Sequence, residues 1–184
     1  MGGNYRPIIF AYAKIIIINM NEKQKVHVIF MASAGIFGFI LFILSALCFS
    51  DMSEDCTNSV VYDGILTLML LGAIITTMAI CYGICVSNRG CYFDADEGNF
   101  TETYIGLITL VCFGVVVTAL AIGGTMPKFP ECTGNMDGMT SSQQEAGKRV
   151  KIYVWFMFAM GLVGTLAGAG ITYYSLYLYP KQLI

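Results

Sequence analysis

Charge is what this chain has least of. Only 12% of its residues are charged, against about 25% in an ordinary soluble domain, and none falls within residues 28–49, 65–86, 104–126 or 152–179. A water-soluble fold is excluded by that distribution. Intramembrane catalysis or ion coupling also loses its usual tools, because such work is normally carried by Asp, Glu, His, Lys or Arg inside a span. Ten Lys and Arg, scattered and outweighed to a net charge of −2, form no surface that tracks phosphates, so nucleic acid is not an expected partner. The one histidine, His27, sits beside Lys25 at the start of the first uncharged stretch and reads as a residue of the membrane interface, with no companions for a metal site.

Other signatures are missing as well. Cys81 and Cys85 stand four apart, one residue too far for the Cys-x-x-Cys pair of a thiol oxidoreductase. Asp94, Asp96 and Glu97 lack the loop length and terminal Glu of an EF-hand and read as a solvated acidic loop. Gly-rich phosphate loops and nucleophile elbows are absent. No cofactor and no metal is expected, and the chain reads as a non-enzyme. The apolar run from Pro7 is broken by Lys14 and is not followed by a cleavage pattern, so no signal peptide is expected. Met1, Gly2 and Gly3 suggest N-myristoylation, but Arg6 stands where that motif wants Ser or Thr.

What is present is apolar length. The chain is 57% hydrophobic, with a mean hydropathy of +0.70. A hydrocarbon core of about 30 Å is crossed by roughly 20 helical residues, and lipid gives the backbone no other hydrogen-bond partner, so each uncharged stretch must be a helix. The expected fold is all-α: an integral membrane, four-transmembrane-helix bundle (a tetraspan) with short loops and an N-terminal interfacial arm. The arm is residues 1–27, where Ile15 to Ile18 are too few to span and Arg6, Lys14, Lys23 and Lys25 suit headgroups. The transmembrane domain is 28–179 and the tail 180–184. No connection is long enough for a core of its own. The fourth stretch, 28 residues long, is expected to tilt or project. Ser142 and Glu145 have capping-box spacing ahead of it, and Tyr173, Tyr174, Tyr177 and Tyr179 form an aromatic belt at its far end.

Every span carries small residues four apart, which let helix backbones approach in lipid. These are Ala34 and Gly38; Gly72 and Thr76, then Ala79 and Gly83; Gly114 and Thr118, then Ala119 and Gly123; Gly161 and Thr165, then Gly164 and Gly168. A compact bundle is expected. Thr67, Thr76, Thr77, Thr109 and Thr118 are expected to bond back to their own helices or across to a neighbour. A faint internal echo at an offset of 42 residues matches Tyr62, Gly64, Gly72 and Thr76 with Tyr104, Gly106, Gly114 and Thr118.

Orientation rests on few charges. With the N terminus inside, six basic residues lie on the cytoplasmic side and four outside, and the first loop, with Asp51, Glu54, Asp55 and Asp63 and no basic residue, suits an outer hairpin. Both termini are therefore read as cytoplasmic. Cys56 and Cys132 then share the oxidising side and are a candidate disulfide, while Cys85 and Cys91 are candidate lipidation sites beside a span. Cys48, Cys81 and Cys112 read as small apolar residues. Asn99, Phe100 and Thr101 fit the glycosylation acceptor pattern and would face the cytoplasm.

In layout alone, four spans with a short first loop and cytoplasmic ends, the chain resembles the tetraspan group that includes MARVEL-domain proteins. It is unlike the claudins, because its first loop holds a lone Cys56 and its Trp is Trp155 in the fourth span, and unlike the tetraspanins, because no large Cys-Cys-Gly loop is present. The functional expectation is a non-enzymatic structural, scaffold or accessory subunit of a larger membrane assembly, the inner membrane and capsid of a virion among them. Its partners would be the lipid bilayer and other membrane or membrane-apposed proteins, with self-association, and contacts are expected at the interfacial arm and residues 127–147. The alternative is a small oligomeric channel or transporter.

Overall fold

A computed structural model describes residues 22–52, 60–87, 98–125 and 141–178. Four helices account for nearly all of them: α1 (Glu22–Asp51), α2 (Val60–Ser87), α3 (Gly98–Thr125) and α4 (Ser141–Tyr173), the last continued by a π turn over Tyr174–Leu178. No strand occurs among the described residues. Each helix is long and apolar enough to cross a membrane. The 30 residues of α1 and 33 of α4 correspond to about 45 and 50 Å, so both extend past a hydrocarbon core of about 30 Å. Helix α1 starts at Glu22, inside the segment expected to be an interfacial arm. Helix α4 starts at Ser141, close to the start expected near Ser142.

Hydropathy alone does not choose an inward face, because these helices are apolar all round, the pattern of membrane spans. Packing chooses it. α1 lies against α2, α2 against α3, α3 against α4, and α4 returns to α1, a closed ring with α1 and α4 in contact. Along α1, Met31, Ala34, Phe37, Leu41, Ser45 and Cys48 recur at intervals of three and four and are all buried. All but Ser45 join Ile65, Leu68 and Ile75 of α2, Ile105, Ile108 and Val115 of α3, and Val154 and Met157 of α4 in one apolar cluster. The centre of the bundle is filled by these side chains. Outside, Ile29, Ile36, Leu110, Val163 and Leu166 are each more than 60% exposed. A chain dissolved in water would hide such a girdle; lipid is its natural solvent, and the protein is a multi-pass membrane protein.

Candidate functional site

Small residues set the closeness of two seams. On α1–α2, a Cβ at Gly38 would stand 2.8 Å from the Gly72 carbonyl oxygen and the Thr76 nitrogen, and a Cβ at Gly72 would stand 2.8 Å from the Gly38 carbonyl oxygen. Two backbones touch here, and only glycine permits it. Gly35 similarly faces Ala79. On α3–α4, Gly161 lies against Val115 and Val116, Gly164 against Cys112, and Gly168 against Thr109. Ala34 and Ala119 are buried.

Not every small pair has this role. Gly114 meets only Leu71, at 3.7 Å from an added Cβ, and Gly83 has open space. Gly123 packs under the Trp155 ring instead of a small partner. The repeat echo is not matched by packing: Gly64 is pressed on Ile122, whereas its counterpart Gly106 faces nothing within 4 Å. Thr67, Thr76, Thr77 and Thr109 donate to the carbonyls of Asp63, Gly72, Ala73 and Ile105, one turn back on their own helices. Their hydroxyls are committed within the helix.

The α1–α4 seam is built differently, from polar ties. His27 is 2% exposed and its Nε2 is 2.8 Å from Ser175 Oγ in the π turn. His27, read from the sequence as a residue of the membrane interface, is turned inward at that end of α1: it lies on the same stripe as Phe30, Ala34 and Phe37 and is enclosed by the end of α4. Further along, Ser45 Oγ donates to Met157 Sδ at 3.4 Å. At the opposite end of the bundle, the Arg149 guanidinium donates twice to the Asp51 carboxylate, at 2.9 and 3.1 Å. Both groups there are in reach of solvent, where such pairs contribute little.

Between the first two ties lies a cleft of about 360 Å³, walled by Phe30, Ala34 and Phe37 of α1, Met160, Val163 and Gly164 of α4, and Cys112 of α3 at its floor. Its one hydroxyl, Ser33 Oγ, donates to the Ile29 carbonyl at 2.8 Å. A shallower groove of about 390 Å³ follows Gly35, Ile36, Phe39, Thr76 and Ile80 on the α1–α2 seam.

Among the described residues, no group of three His, Cys, Asp or Glu side chains could hold a metal. Cys48, Cys81, Cys85 and Cys112 are free thiols, with Cys85 half-buried near the end of α2. Cys56, Cys91 and Cys132 lie outside the described residues, as do Tyr179, the acidic residues 94–97 and the contact segment 127–140. Tyr173 and Tyr177 are exposed and stack at 5.3 Å, in keeping with a belt at the end of α4. No protein-family model, curated protein or solved structure matches the chain.

Proposed function

We propose that the chain is a non-enzymatic structural or accessory subunit that packs within a larger membrane assembly. The observation that carries this reading is the division between interior and surface. Leu41, Ile65, Leu68, Ile75, Ile108 and Met157 fill the bundle axis at 0% exposure, so a single copy offers solutes no path between its helices. Its outer face is a continuous apolar girdle open to lipid or to neighbouring spans. Both termini are assigned to the cytoplasm, and partner contacts to the N-terminal arm, residues 1–27, and to residues 127–147.

Purification from native membranes in mild detergent tests the assignment: a stoichiometric set of membrane or membrane-apposed proteins, or higher copies of this chain, is the expected company. Solute or ion flux through liposomes holding the purified chain alone would replace the structural reading with that of an oligomeric channel. A glycan on Asn99 would reverse the orientation.

A further inference from the structure

We propose that the cleft between α1 and α4 binds one phospholipid acyl chain, drawn from the leaflet on the side where α1 begins. The inference is independent of what assembly the protein joins.

Depth is the first argument. The apolar span of α1 opens at Lys25, and Phe30 and Phe37, which bound the cleft on that helix, lie about 7 and 18 Å further along at 1.5 Å per residue. Half of a hydrocarbon core is about 15 Å. The 27 residues of that span are about 40 Å long and, centred on a core of about 30 Å, overhang it by about 5 Å at each end, so the cleft runs from about 2 to 13 Å below the hydrocarbon edge, within one leaflet.

Chemistry is the second. A water needs two to four polar partners, and the cleft's only hydroxyl already bonds its own helix. Size does not keep it empty: an apolar cavity of about 150 Å³ takes up benzene, and this one holds about 360 Å³. The occupant is a hydrocarbon.

Width then separates a chain from a helix. α1 and α4 are in side-chain contact on both sides of the cleft, which holds their axes about 8–10 Å apart, so a partner's span or a second copy, a helix about 10 Å across or more, cannot enter between the two walls. A methylene chain, whose carbons sit about 4 Å from their neighbours, fits. Along the seam the cleft is bounded by His27–Ser175 on one side and Ser45–Met157 on the other, so entry is lateral, from the bilayer, and the headgroup stays level with the charged first turn of α1. Met160 supplies a wall that adapts to a bent chain.

The test uses the full chain in liposomes of phosphatidylcholine bearing a diazirine midway along one acyl chain. After irradiation, adducts should concentrate on Ala34, Phe37, Met160 and Val163. The double substitution Ala159→Phe with Ala167→Phe, at two α4 positions that also line the cleft, should fill it and abolish them while adducts on Leu110, on the exposed face of α3, persist. Labelling spread evenly around the bundle, an absence of adducts at these four residues, or undiminished adducts in the filled variant would each overturn the proposal. If the filled variant loses its helical circular dichroism, the distribution of adducts on the unaltered chain decides alone.

Discussion

Replacing Gly38 by alanine puts a methyl group where the backbone of α2 already stands. The added carbon would lie 2.8 Å from the Gly72 carbonyl oxygen, the Thr76 nitrogen and Thr76 Oγ1, against 3.5–4.0 Å for a comfortable contact. Two of these three atoms are backbone, so no side chain can swing away, and α1 and α2 must part by about 0.7 Å. A gap of that size forfeits a quarter to a half of each dispersion well of about 0.1–0.2 kcal/mol, and one enclosed side chain makes 40–60 such contacts. A seam that loses even one side chain's worth gives up about 2–3 kcal/mol, and apolar burial offers no refund in lipid. Alanine's better helix propensity returns up to about 1 kcal/mol. The net expectation is a loss of about 1–2 kcal/mol for Gly38→Ala and the same for Gly72→Ala. The double substitution should cost scarcely more than either alone, because one separation relieves both clashes. Gly106→Ala and Gly170→Ala, with nothing within 4 Å of the added carbon, should be neutral or stabilising by up to about 1 kcal/mol. Reversible unfolding in mixed micelles, followed by helical circular dichroism and by Trp155 fluorescence, measures all five. An additive double mutant, or equal damage at Gly106, would refute backbone contact as the source of the seam's stability.

Three further outcomes follow from the other contacts. Gly168→Ala should loosen α3–α4 because its methyl would overlap Thr109, and Thr109→Ala should restore part of the loss in the same unfolding assay. His27→Phe and Ser175→Ala should show a coupling of about 0.6 kcal/mol, and at most about 1.7, the range for hydrogen bonds between membrane helices; a double-mutant cycle with no coupling would mean that the 2.8 Å bond adds nothing to stability. Thr67→Val and Thr77→Val, both at exposed positions whose hydroxyls bond only one turn back, should leave stability and detergent-resolved oligomeric state unchanged, and a shift in oligomer size would instead place those hydroxyls at an interface between copies.

The spans were legible because the cost of a charge in hydrocarbon is large and local, so 22 or more residues without one carry an unambiguous message. Their ends were less so. α1 begins six residues before its uncharged stretch, since a helix passes through the headgroup layer without changing its hydrogen bonding, and Lys25 and His27 do not stop it. The packing stripe was half legible. Gly38, Gly72, Gly161, Gly164 and Gly168 stand in seams, but Gly35 and Gly64 were missed because each has a large residue four positions on, Phe39 and Leu68. What makes them necessary is on another helix, Ala79 for one and Ile122 for the other. Gly114 errs in the opposite sense: it has the spacing, but Leu71 reaches it only at ordinary contact distance.

The α1–α4 seam was the least legible, for a reason that also explains the cleft. Its ties join residues 148, 112 and 98 positions apart, and no periodicity within one helix encodes such pairs. Where glycine meets backbone, as at Gly38 and Gly72, the helices touch and leave only the shallower groove along Gly35 and Thr76. Polar ties fix separation only where they occur: His27 with Ser175 and Ser45 with Met157 hold α1 and α4 together at two levels, and between them the bulk of Phe30 and Phe37 keeps the helices apart. A cleft is the geometric consequence of a seam fastened at intervals. Shortening that interval should close it: a hydrogen-bonding pair placed across the cleft at Phe37 and Val163, which both line it, for instance Phe37→Asn with Val163→Gln, should draw α1 toward α4. Acyl-chain labelling of Ala34 and Met160 should then fall. Retention of full labelling in a variant shown by circular dichroism to be folded would mean that the positions of the ties do not set the spacing.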